Sequence, residues 1–420
     1  HMLDDDLMLE PDVTEPASAP TGPGPAAAPA GPGPAATPTG PVPAVLEAGE
    51  DLITVDRAWP RGPRAGEEVV LAEGRDGSGR VRAAQLRMRP LGDDGWQVTS
   101  QRVAPHGADP KLPDLAEAAR TGTVVVHRYG KRAVVRRRDG FVKVVRPGTG
   151  AEIARAARQG QEVAEAAGFD APAVLEAGTG AVRFSTLPGR SLHELGGVAT
   201  TGEWRDWWQR WAERWAVLAR PATNGHLGAQ PTTDHLGAQP ATDHLGGQQA
   251  TDQLATHTAH DEVVNLRRWL ERVDRLGALP AAVTGAVAAR AETVTDELVT
   301  GPSQDLVVSH RDLHDKQILA HGESLGLLDF DTVSLAEPAL DLANLWVHAR
   351  LRTDQGLWSN GHSELTQQVV LEVATGLGVD AARFATYAEA TRLRLACLYA
   401  FRPRYRAMAL DWATSPRPTV

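Results

Sequence analysis

The chain has 420 residues, 42% of them hydrophobic, and a formal net charge of -10 at pH 7. This length can bury a core and more than one subdomain. The acidic balance argues against binding to nucleic acids or anionic membranes, which would need a basic surface. The single cysteine, Cys397, excludes a disulfide within the chain and a cysteine metal cage. We therefore expect a small-molecule partner, and the oligomeric state is left open.

The sequence contains no candidate for a membrane anchor. No run approaches the ~18 consecutive apolar residues of a spanning helix, and the N-terminus lacks a basic region followed by an apolar one. We therefore predict a cytoplasmic protein that does not enter the membrane.

The N-terminal quarter divides into a leader and a region of strands. Residues 1–43 are rich in Pro, Ala and Gly, a composition that cannot bury enough apolar surface to order itself, so we predict a disordered leader. Strand-like runs at 67–73, 80–89 and 96–103 are separated by turn residues and predict an antiparallel meander.

A second group of strands precedes the first long helix. Its strand-like runs lie at 123–128, 132–136, 141–146, 173–177 and 181–187. Between the third and fourth of these, an Ala-rich segment at 151–167 predicts a helix whose buried face carries Ile153, Ala156, Ala157 and Val163.

Beyond Gly189 the chain is predicted to be mainly helical. Tryptophans at 204, 207, 208, 211 and 215 follow helical spacing, which favours core packing over a cofactor box. A nine-residue unit repeats through residues 226–252, and its regularly spaced His226, His235 and His244 suggest either a metal site or, preferably, a low-complexity surface insertion.

The residues with the clearest chemistry lie between 305 and 331. An apolar strand at 305–309 leads into a polar loop that carries Asp312, a candidate catalytic base, with His310 and Arg311 just before it. Gln317 can offer an amide oxygen to Mg²⁺, which prefers oxygen ligands. Asp329 follows a second apolar run and can bridge the metal to a nucleotide.

A lysine in an earlier strand completes this set. Lys143 lies between Val142 and Val144, an unusual place for an ammonium unless it meets a phosphate or a carboxylate. We expect Glu162, on the predicted helix, to hold it. Taken singly, a loop Asp can simply make a turn and a strand Lys can reach solvent. Their occurrence together and in this order favours phosphoryl transfer.

A competing interpretation is a metallohydrolase. His310, Asp312 and His314 form an H-x-D-x-H string, but no further His and Asp pair with suitable spacing accompanies it. We therefore prefer the phosphotransferase interpretation.

At these residues the sequence resembles the aminoglycoside phosphotransferase and choline kinase superfamily, whose members are relatives of the protein kinases. The resemblance runs from about Thr123 to Arg406 and is most specific from Ser309 to Asn344. The superfamily usually has Asn where Gln317 stands, although its maltokinase-like branch also has Gln. The chain also lacks a glycine-rich G-x-G-x-x-G loop and offers only His127-Arg-Tyr-Gly-Lys-Arg132.

The resemblance implies a role for each of these residues. Asp312 would be the base, Gln317 and Asp329 the metal ligands, Lys143 with Glu162 the phosphate anchor, and Asp341 a brace for the catalytic loop. The segment Phe184, Ser185, Thr186 and Leu187 would be the interlobe hinge, whose backbone meets adenine. The cofactors implied are ATP, or alternatively GTP, and Mg²⁺.

The implied architecture is α+β and two-lobed, like a protein kinase. We predict a β cap at 44–104, an N-lobe at 105–188 and a helical C-lobe at 189–420 that contains the low-complexity insertion at 221–258. The cap has no counterpart in the minimal fold and is similar to that of the maltokinase-like branch.

The predicted function is ATP-dependent phosphorylation of a hydroxyl on a small molecule, such as an aminoglycoside, amino sugar or sugar. The alternatives are a kinase acting on Ser or Thr of a biosynthetic peptide and a nucleotide-binding pseudokinase scaffold. Five C-terminal arginines favour an anionic or neutral acceptor if they face the cleft, but we interpret them as a solvated helix face. They are Arg392, Arg394, Arg402, Arg404 and Arg406.

Overall fold

The structure is a computed structural model that describes residues 40–92, 95–220 and 254–419. The predicted leader falls almost entirely outside the described residues, and so does the nonamer repeat with its three histidines. Only the last residues of the predicted insertion, 254–258, are described, and there Thr256 forms a parallel bridge with Leu335.

The cap is an antiparallel sheet in sequential strand order. The strands are β1 (Val45–Ala48), β2 (Asp51–Arg64), β3 (Glu67–Arg75), β4 (Val81–Pro90) and β5 (Trp96–Val103). The meander predicted from three runs is present as β3, β4 and β5. Strands β1 and β2 were not predicted, because Pro60, Gly62 and Pro63 interrupt the strand pattern of β2. The ladder accommodates them at register shifts, one of which lies between Pro60 and Gly62.

The N-lobe is a mixed unit of one sheet and two helices. It contains α1 (Leu115–Arg120), β6 (Thr123–Arg128), β7 (Arg132–Arg137), β8 (Gly140–Val145), α2 (Gly150–Ala166), β9 (Val174–Ala177) and β10 (Ala181–Phe184). The strand order is β6-β7-β8-β10-β9, so β8 is the central strand.

The two faces of this sheet have different surroundings. On one face Ala133, Val135, Val142 and Val144 join Leu115 of α1 in a separate apolar core. The opposite face carries Lys143, because side chains alternate along a strand. The sheet therefore has one packed apolar face and one face with a buried charge.

The C-lobe is mainly helical, with short strand pairs that carry the loops of interest. Its helices are α3 (Leu192–Leu195), α4 (Thr201–Leu218), α5 (Ala259–Leu276), α6 (Ala281–Thr300), α7 (Pro338–Asp354), α8 (Asn360–Gly376), α9 (Ala381–Tyr399) and α10 (Arg406–Thr414). Its strands are β11 (Arg190–Ser191), β12 (Val307–Ser309), β13 (Ile318–His321), β14 (Ser324–Leu327) and β15 (Ser334–Ala336). The predicted α+β class, with a β-rich N-terminal part and a helical C-terminal part, is confirmed.

The tryptophan helix packs as predicted. Trp204, Trp208, Trp211 and Trp215 of α4 are all buried in the main core, and Trp207 is half-buried against it. Trp204 also donates a hydrogen bond from Nε1 to the carbonyl of His362 at 3.0 Å. The stripe is core.

Helix α2 turns only part of the predicted face to the interior. Ile153 and Ala156 are only half-buried, whereas Ala154, Gly160 and Ala164 join the predicted positions Ala157 and Val163 in the interior. The buried face is therefore built from small residues, which lets the helix approach its neighbours closely.

The C-terminal arginines form the predicted solvated face only in part: Arg404 is exposed and Arg406 is half-buried. Arg392, Arg394 and Arg402 are buried. Arg392 donates from Nε to Glu389 of the same helix at 2.9 Å and from Nη1 to the Trp412 carbonyl of α10, and Arg394 donates from Nη2 to Asn344 Oδ1 of α7 at 2.9 Å. These guanidinium groups hold α9 against α7 and the C-terminal helix, because a buried charge needs a bonded partner.

The cap contacts both lobes. Glu73 of β3 accepts a hydrogen bond from the His127 backbone N–H of β6 at 2.7 Å. On the other side, Trp96 donates from Nε1 to the Leu276 carbonyl at the end of α5 at 2.8 Å, and Arg275 pairs with Glu68 at 2.6 Å. None of the described helices is long and apolar enough to cross a membrane.

Candidate active site

The loop that follows β12 is fixed by one carboxylate. Asp341, in the first turn of α7, accepts hydrogen bonds from Ser309 Oγ at 2.8 Å, the His310 backbone N–H at 2.6 Å and the Arg311 backbone N–H at 2.8 Å. Burial raises the pKa of Asp341. These bonds determine the path of the backbone that leads into Asp312.

Two residues of the site have left-handed backbone conformations. Arg311 has φ of 66° and Asp329 has φ of 62°. Such values are uncommon outside glycine and persist where surrounding contacts enforce them, often at functional sites. In this structure, one of them directly precedes the candidate base and the other is the candidate metal ligand.

Asp312 lies in a buried part of the loop. Its side chain is close to His314, with 3.9 Å between Oδ2 and Nε2. His314 begins the 3₁₀ turn Asp315–Gln317 by accepting the Lys316 backbone N–H on Nδ1 at 3.2 Å. The His314 ring stacks on His348 of α7, with 5.0 Å between centroids.

A fully buried ion pair anchors the same loop to the neighbouring helices. Asp315 accepts hydrogen bonds from Arg352 Nε at 2.9 Å and from His193 Nδ1 at 2.7 Å. Burial alone would raise the pKa of Asp315, but the Arg352 charge and the His193 hydrogen bond outweigh it and hold that pKa well below the usual value. The loop is thus tied to α7 and to α3.

The loop that carries Asp329 is attached to the Asp312 loop at two points. The Leu328 N–H donates to the Gln317 carbonyl at 2.9 Å, and His310 Nε2 donates to the Leu328 carbonyl at 2.7 Å. Residue 328 directly precedes Asp329. The candidate base, the amide of Gln317 and the carboxylate of Asp329 therefore lie on two loops held together.

The side chains at this junction fit a hard cation. Asp329 and Asp331 are carboxylates and Gln317 offers an amide oxygen, which is the donor type that Mg²⁺ selects. In the described part of the chain, His, Cys, Asp and Glu side chains form no group of three that could hold an ion. The metallohydrolase string of His310, Asp312 and His314 accordingly does not assemble into such a group.

Lys143 is the cation that faces these carboxylates. Its Nζ donates to Asp329 Oδ1 at 3.0 Å and also to Asp331 Oδ2. Burial would lower the pKa of Lys143, but the two carboxylates raise it above its ordinary value. Burial would also raise the pKa of Asp329, yet the charges of Lys143 and Arg132 lower it.

The predicted pair between Lys143 and Glu162 is not formed. Glu162 is exposed on α2, as are the other acidic residues of that helix, Glu152 and Glu165. The buried face of α2 consists of Gly, Ala and Val, so it has no carboxylate to offer. Asp331 takes the place that we had assigned to Glu162.

The predicted hinge follows β10. Phe184, Ser185 and Leu187 are half-buried and Thr186 is exposed. The Ser185 Oγ accepts the Ala173 backbone N–H at 2.9 Å. A Cβ placed on Gly326 of β14 would lie 2.8 Å from Leu187 Cδ1, so this segment packs closely on the β13–β14 hairpin. It connects the N-lobe sheet to β11.

The sequence of residues 123–367 matches the model of a protein family described as the phosphotransferase enzyme family. The matched segment is more than half of the 420-residue chain. It contains both loops of the site and Lys143. The chain belongs to this phosphotransferase family.

Several solved structures are similar to the phosphotransferase. An aminoglycoside phosphotransferase from Streptomyces rimosus is 18% identical over 65% of this chain and 92% of its own, with a TM-score of 0.42. A choline/ethanolamine kinase family protein from Mesorhizobium loti is 18% identical over 73% and 93%, with a TM-score of 0.43. A glucosamine kinase in complex with glucosamine, ADP and inorganic phosphate is 15% identical over 89% and 93%, with a TM-score of 0.39.

Among curated proteins none matches the phosphotransferase. The family assignment therefore rests on the family model. It confirms the enzyme class predicted from the sequence: the protein is a phosphotransferase.

Sequence reasoning missed two charged residues of the site. Asp331 stands in the Asp-Phe-Asp run, where its spacing from Asp329 could have indicated a second carboxylate. Arg132 is buried on β7, and its charge acts on Lys143, Asp329 and Asp331. The pairing of β7 with β8, together with alternation along each strand, could have indicated that Arg132 shares a face with Lys143.

Between Asp329 and Asp331, Phe330 packs against α2 at a glycine. A Cβ placed on Gly160 would lie 2.1 Å from Phe330 Cγ, and Phe330 is itself buried. Only a residue without a side chain lets the helix and the Asp329 loop come this close.

We expect Gly160→Ala to destabilise the phosphotransferase by about 1–3 kcal/mol, because the methyl group displaces Phe330 from a packed position. The matched control is Gly285→Ala in α6, where a Cβ meets nothing within 4 Å. There the higher helix propensity of Ala should stabilise the protein by about 0.5–1 kcal/mol. Urea unfolding of both variants checks this, and equal effects would contradict the packing argument.

Proposed function

We propose that this phosphotransferase transfers the γ-phosphoryl group of ATP to a hydroxyl of a small molecule, with Asp312 as the base. The observation that carries the proposal is the buried contact of Lys143 with Asp329 and Asp331. It joins the N-lobe sheet to a loop that is hydrogen-bonded to the Asp312 loop. Phosphoryl transfer requires this set of groups: a cation and metal-binding carboxylates for the phosphates, and a base near the acceptor.

Each chain residue has a defined part in the proposal. Lys143 binds nucleotide phosphate, and Asp331 keeps the ammonium in place when Asp329 is engaged. Gln317 and Asp329 would hold Mg²⁺, which when bound neutralises charge on the phosphates. Asp312 orients the acceptor hydroxyl and accepts its proton. The backbone of the segment from Phe184 to Leu187 contacts the adenine ring of the nucleotide.

The acceptor class that we propose is a neutral or amine-bearing sugar, aminoglycosides and amino sugars included. The anionic acceptor suggested by the C-terminal arginines loses its support, because Arg392 pairs with Glu389 and Arg394 bonds Asn344. The acceptor class predicted from the sequence, an aminoglycoside, amino sugar or sugar, is therefore retained.

The test is a transfer assay with ATP, Mg²⁺ and a panel of aminoglycosides, amino sugars, neutral sugars and Ser- or Thr-containing peptides. We expect phosphorylated product, identified by mass spectrometry, with at least one amine-bearing sugar. Product only with peptides would contradict the acceptor class, and ATP binding without turnover on any acceptor would favour a scaffold.

We expect Lys143→Met to weaken ATP binding by about tenfold or more, because a charge-assisted contact to phosphate is worth about 1.5–3 kcal/mol. The matched control is Glu162→Gln, which removes an exposed carboxylate of α2 and should leave ATP affinity unchanged. Calorimetric titration with ATP measures both. A wild-type affinity in the Lys143 variant would remove the central support of the proposal.

A further inference from the structure

A buried arginine lies on the same sheet as Lys143. Arg132 begins β7 and is 6% exposed. Its Nε is buried and has no hydrogen-bond acceptor among the described residues. Burying a charged donor without a bonded acceptor is costly. A buried donor of this kind can bond an anionic ligand.

Strand register places Arg132 on the cleft side. In the β7–β8 ladder Val134 pairs with Lys143, and Arg132 pairs with Val145. Paired residues of an antiparallel ladder share a face, and residues two apart on one strand do as well. Arg132 and Lys143 are therefore diagonal neighbours on the face opposite the apolar core formed with α1.

The nearby carboxylates interact with the Arg132 charge but leave its Nε donor without a hydrogen-bond acceptor among the described residues. Asp329 and Asp331 already contact Lys143. Two cations and two carboxylates thus interact here, and their charges balance, but the Nε–H of Arg132 still has no acceptor among the described residues. A phosphate oxygen is an acceptor that such a donor binds with a charge-assisted hydrogen bond.

The hairpin turn that precedes Arg132 is fixed by hydrogen bonds and by a contact with the cap. The Gly130 backbone N–H donates to Asp109 Oδ2 at 2.6 Å, and the same oxygen accepts from His127 Nε2 at 3.0 Å. The guanidinium of Arg128 lies 4.0 Å from the ring centroid of Trp59 in the cap. A side chain presented from a fixed hairpin is preorganised, so little conformational entropy is lost when it binds a ligand.

From these observations we infer that Arg132 is a second phosphate-binding cation, which contacts the β- or γ-phosphate of the nucleotide beside Lys143. The β6–β7 turn is not glycine-rich and does not offer the phosphates a set of backbone N–H groups. Arg132 would contact the phosphates with its side chain instead. The inference rests on the proposed function, since it takes the nucleotide site as given.

The experiment measures nucleotide binding to the full chain by calorimetry with Mg²⁺ and no acceptor, so that only nucleotide phosphates can be involved. We expect Arg132→Met to weaken ATP and ADP binding by about tenfold or more and to leave adenosine binding unchanged. Arg132→Lys should recover part of the ATP affinity because it restores the charge. The matched control is Arg136→Met, an exposed arginine on the same strand, which should bind ATP like the wild type.

A purely structural role gives a different result. It would lower the melting temperature of the nucleotide-free protein and weaken ATP and adenosine binding alike, and that outcome overturns the inference. Unchanged ATP binding in Arg132→Met overturns it as well. If the wild-type chain binds ATP in these experiments, the nucleotide site of the proposed function stands in either case, and the transfer assay tests the rest; if it binds no nucleotide, both fail.

Discussion

Replacing Asp312 by Asn is expected to lower turnover by about 10²–10⁴-fold, the usual contribution of a general base. Asn has nearly the same shape, so the loop should keep its path, which Asp341 fixes through Ser309 Oγ and two backbone N–H groups. ATP affinity should change little, because the proposed phosphate contacts come from Lys143 and Arg132. The loss should therefore appear in kcat and not in nucleotide binding.

The measurement is a steady-state transfer assay with the acceptor found in the panel, together with calorimetry for ATP. The matched control is Asp305→Asn, an exposed carboxylate just before β12, which should retain wild-type turnover. If the Asp312 variant turned over at the wild-type rate, another group would have to be the base and the assignment would be wrong.

The sequence predicted well those features that depend only on residues close together in the chain. Strands β3, β4 and β5 are bounded by turn residues, and the tryptophan stripe follows helical spacing, so each can be seen within one window of sequence. The spacing of Asp312 and Asp329 likewise reflects two loops, one after the short strand β12 and the other after the short strand β14.

The features that sequence missed depend on contacts between distant segments. Glu162 was expected to hold Lys143 because it lies on the following helix, but the face that α2 turns inward is set by how closely Gly160 lets it approach Phe330. The burial of Arg392 and Arg394 depends on partners in other parts of the C-lobe. A local pattern cannot specify which face packs when a helix offers small residues on more than one side.

The Asp341 carboxylate depends both on local sequence and on contacts between distant segments. Its position at the start of a helix can be read from the sequence, whereas its bonds to Ser309, His310 and Arg311 exist only because α7 packs against β12. Those bonds help to enforce the left-handed conformation at Arg311. A strained residue held this way fixes the direction of Asp312, which is what a positioned base requires.

Replacing Arg352 by Met is expected to destabilise the protein by about 3–5 kcal/mol, because it leaves the fully buried Asp315 carboxylate without its guanidinium partner. Removing both charges in Asp315→Asn/Arg352→Met should cost less than the sum of the single variants, since neither charge is then left alone. Urea unfolding of the two single variants and the double variant measures this coupling.

The effect should depend on pH with a defined sign. The pKa of Asp315 is lowered in the folded protein, so the pair contributes stability above the unfolded pKa of about 3.9 and loses it as pH falls through the folded value. In Arg352→Met, burial dominates and should raise the pKa of Asp315, so protonation relieves the cost. The stability gap between variant and wild type should therefore be largest at neutral pH and shrink toward pH 5. A gap that stayed constant with pH would mean that lost packing, and not the unpaired charge, causes the destabilisation.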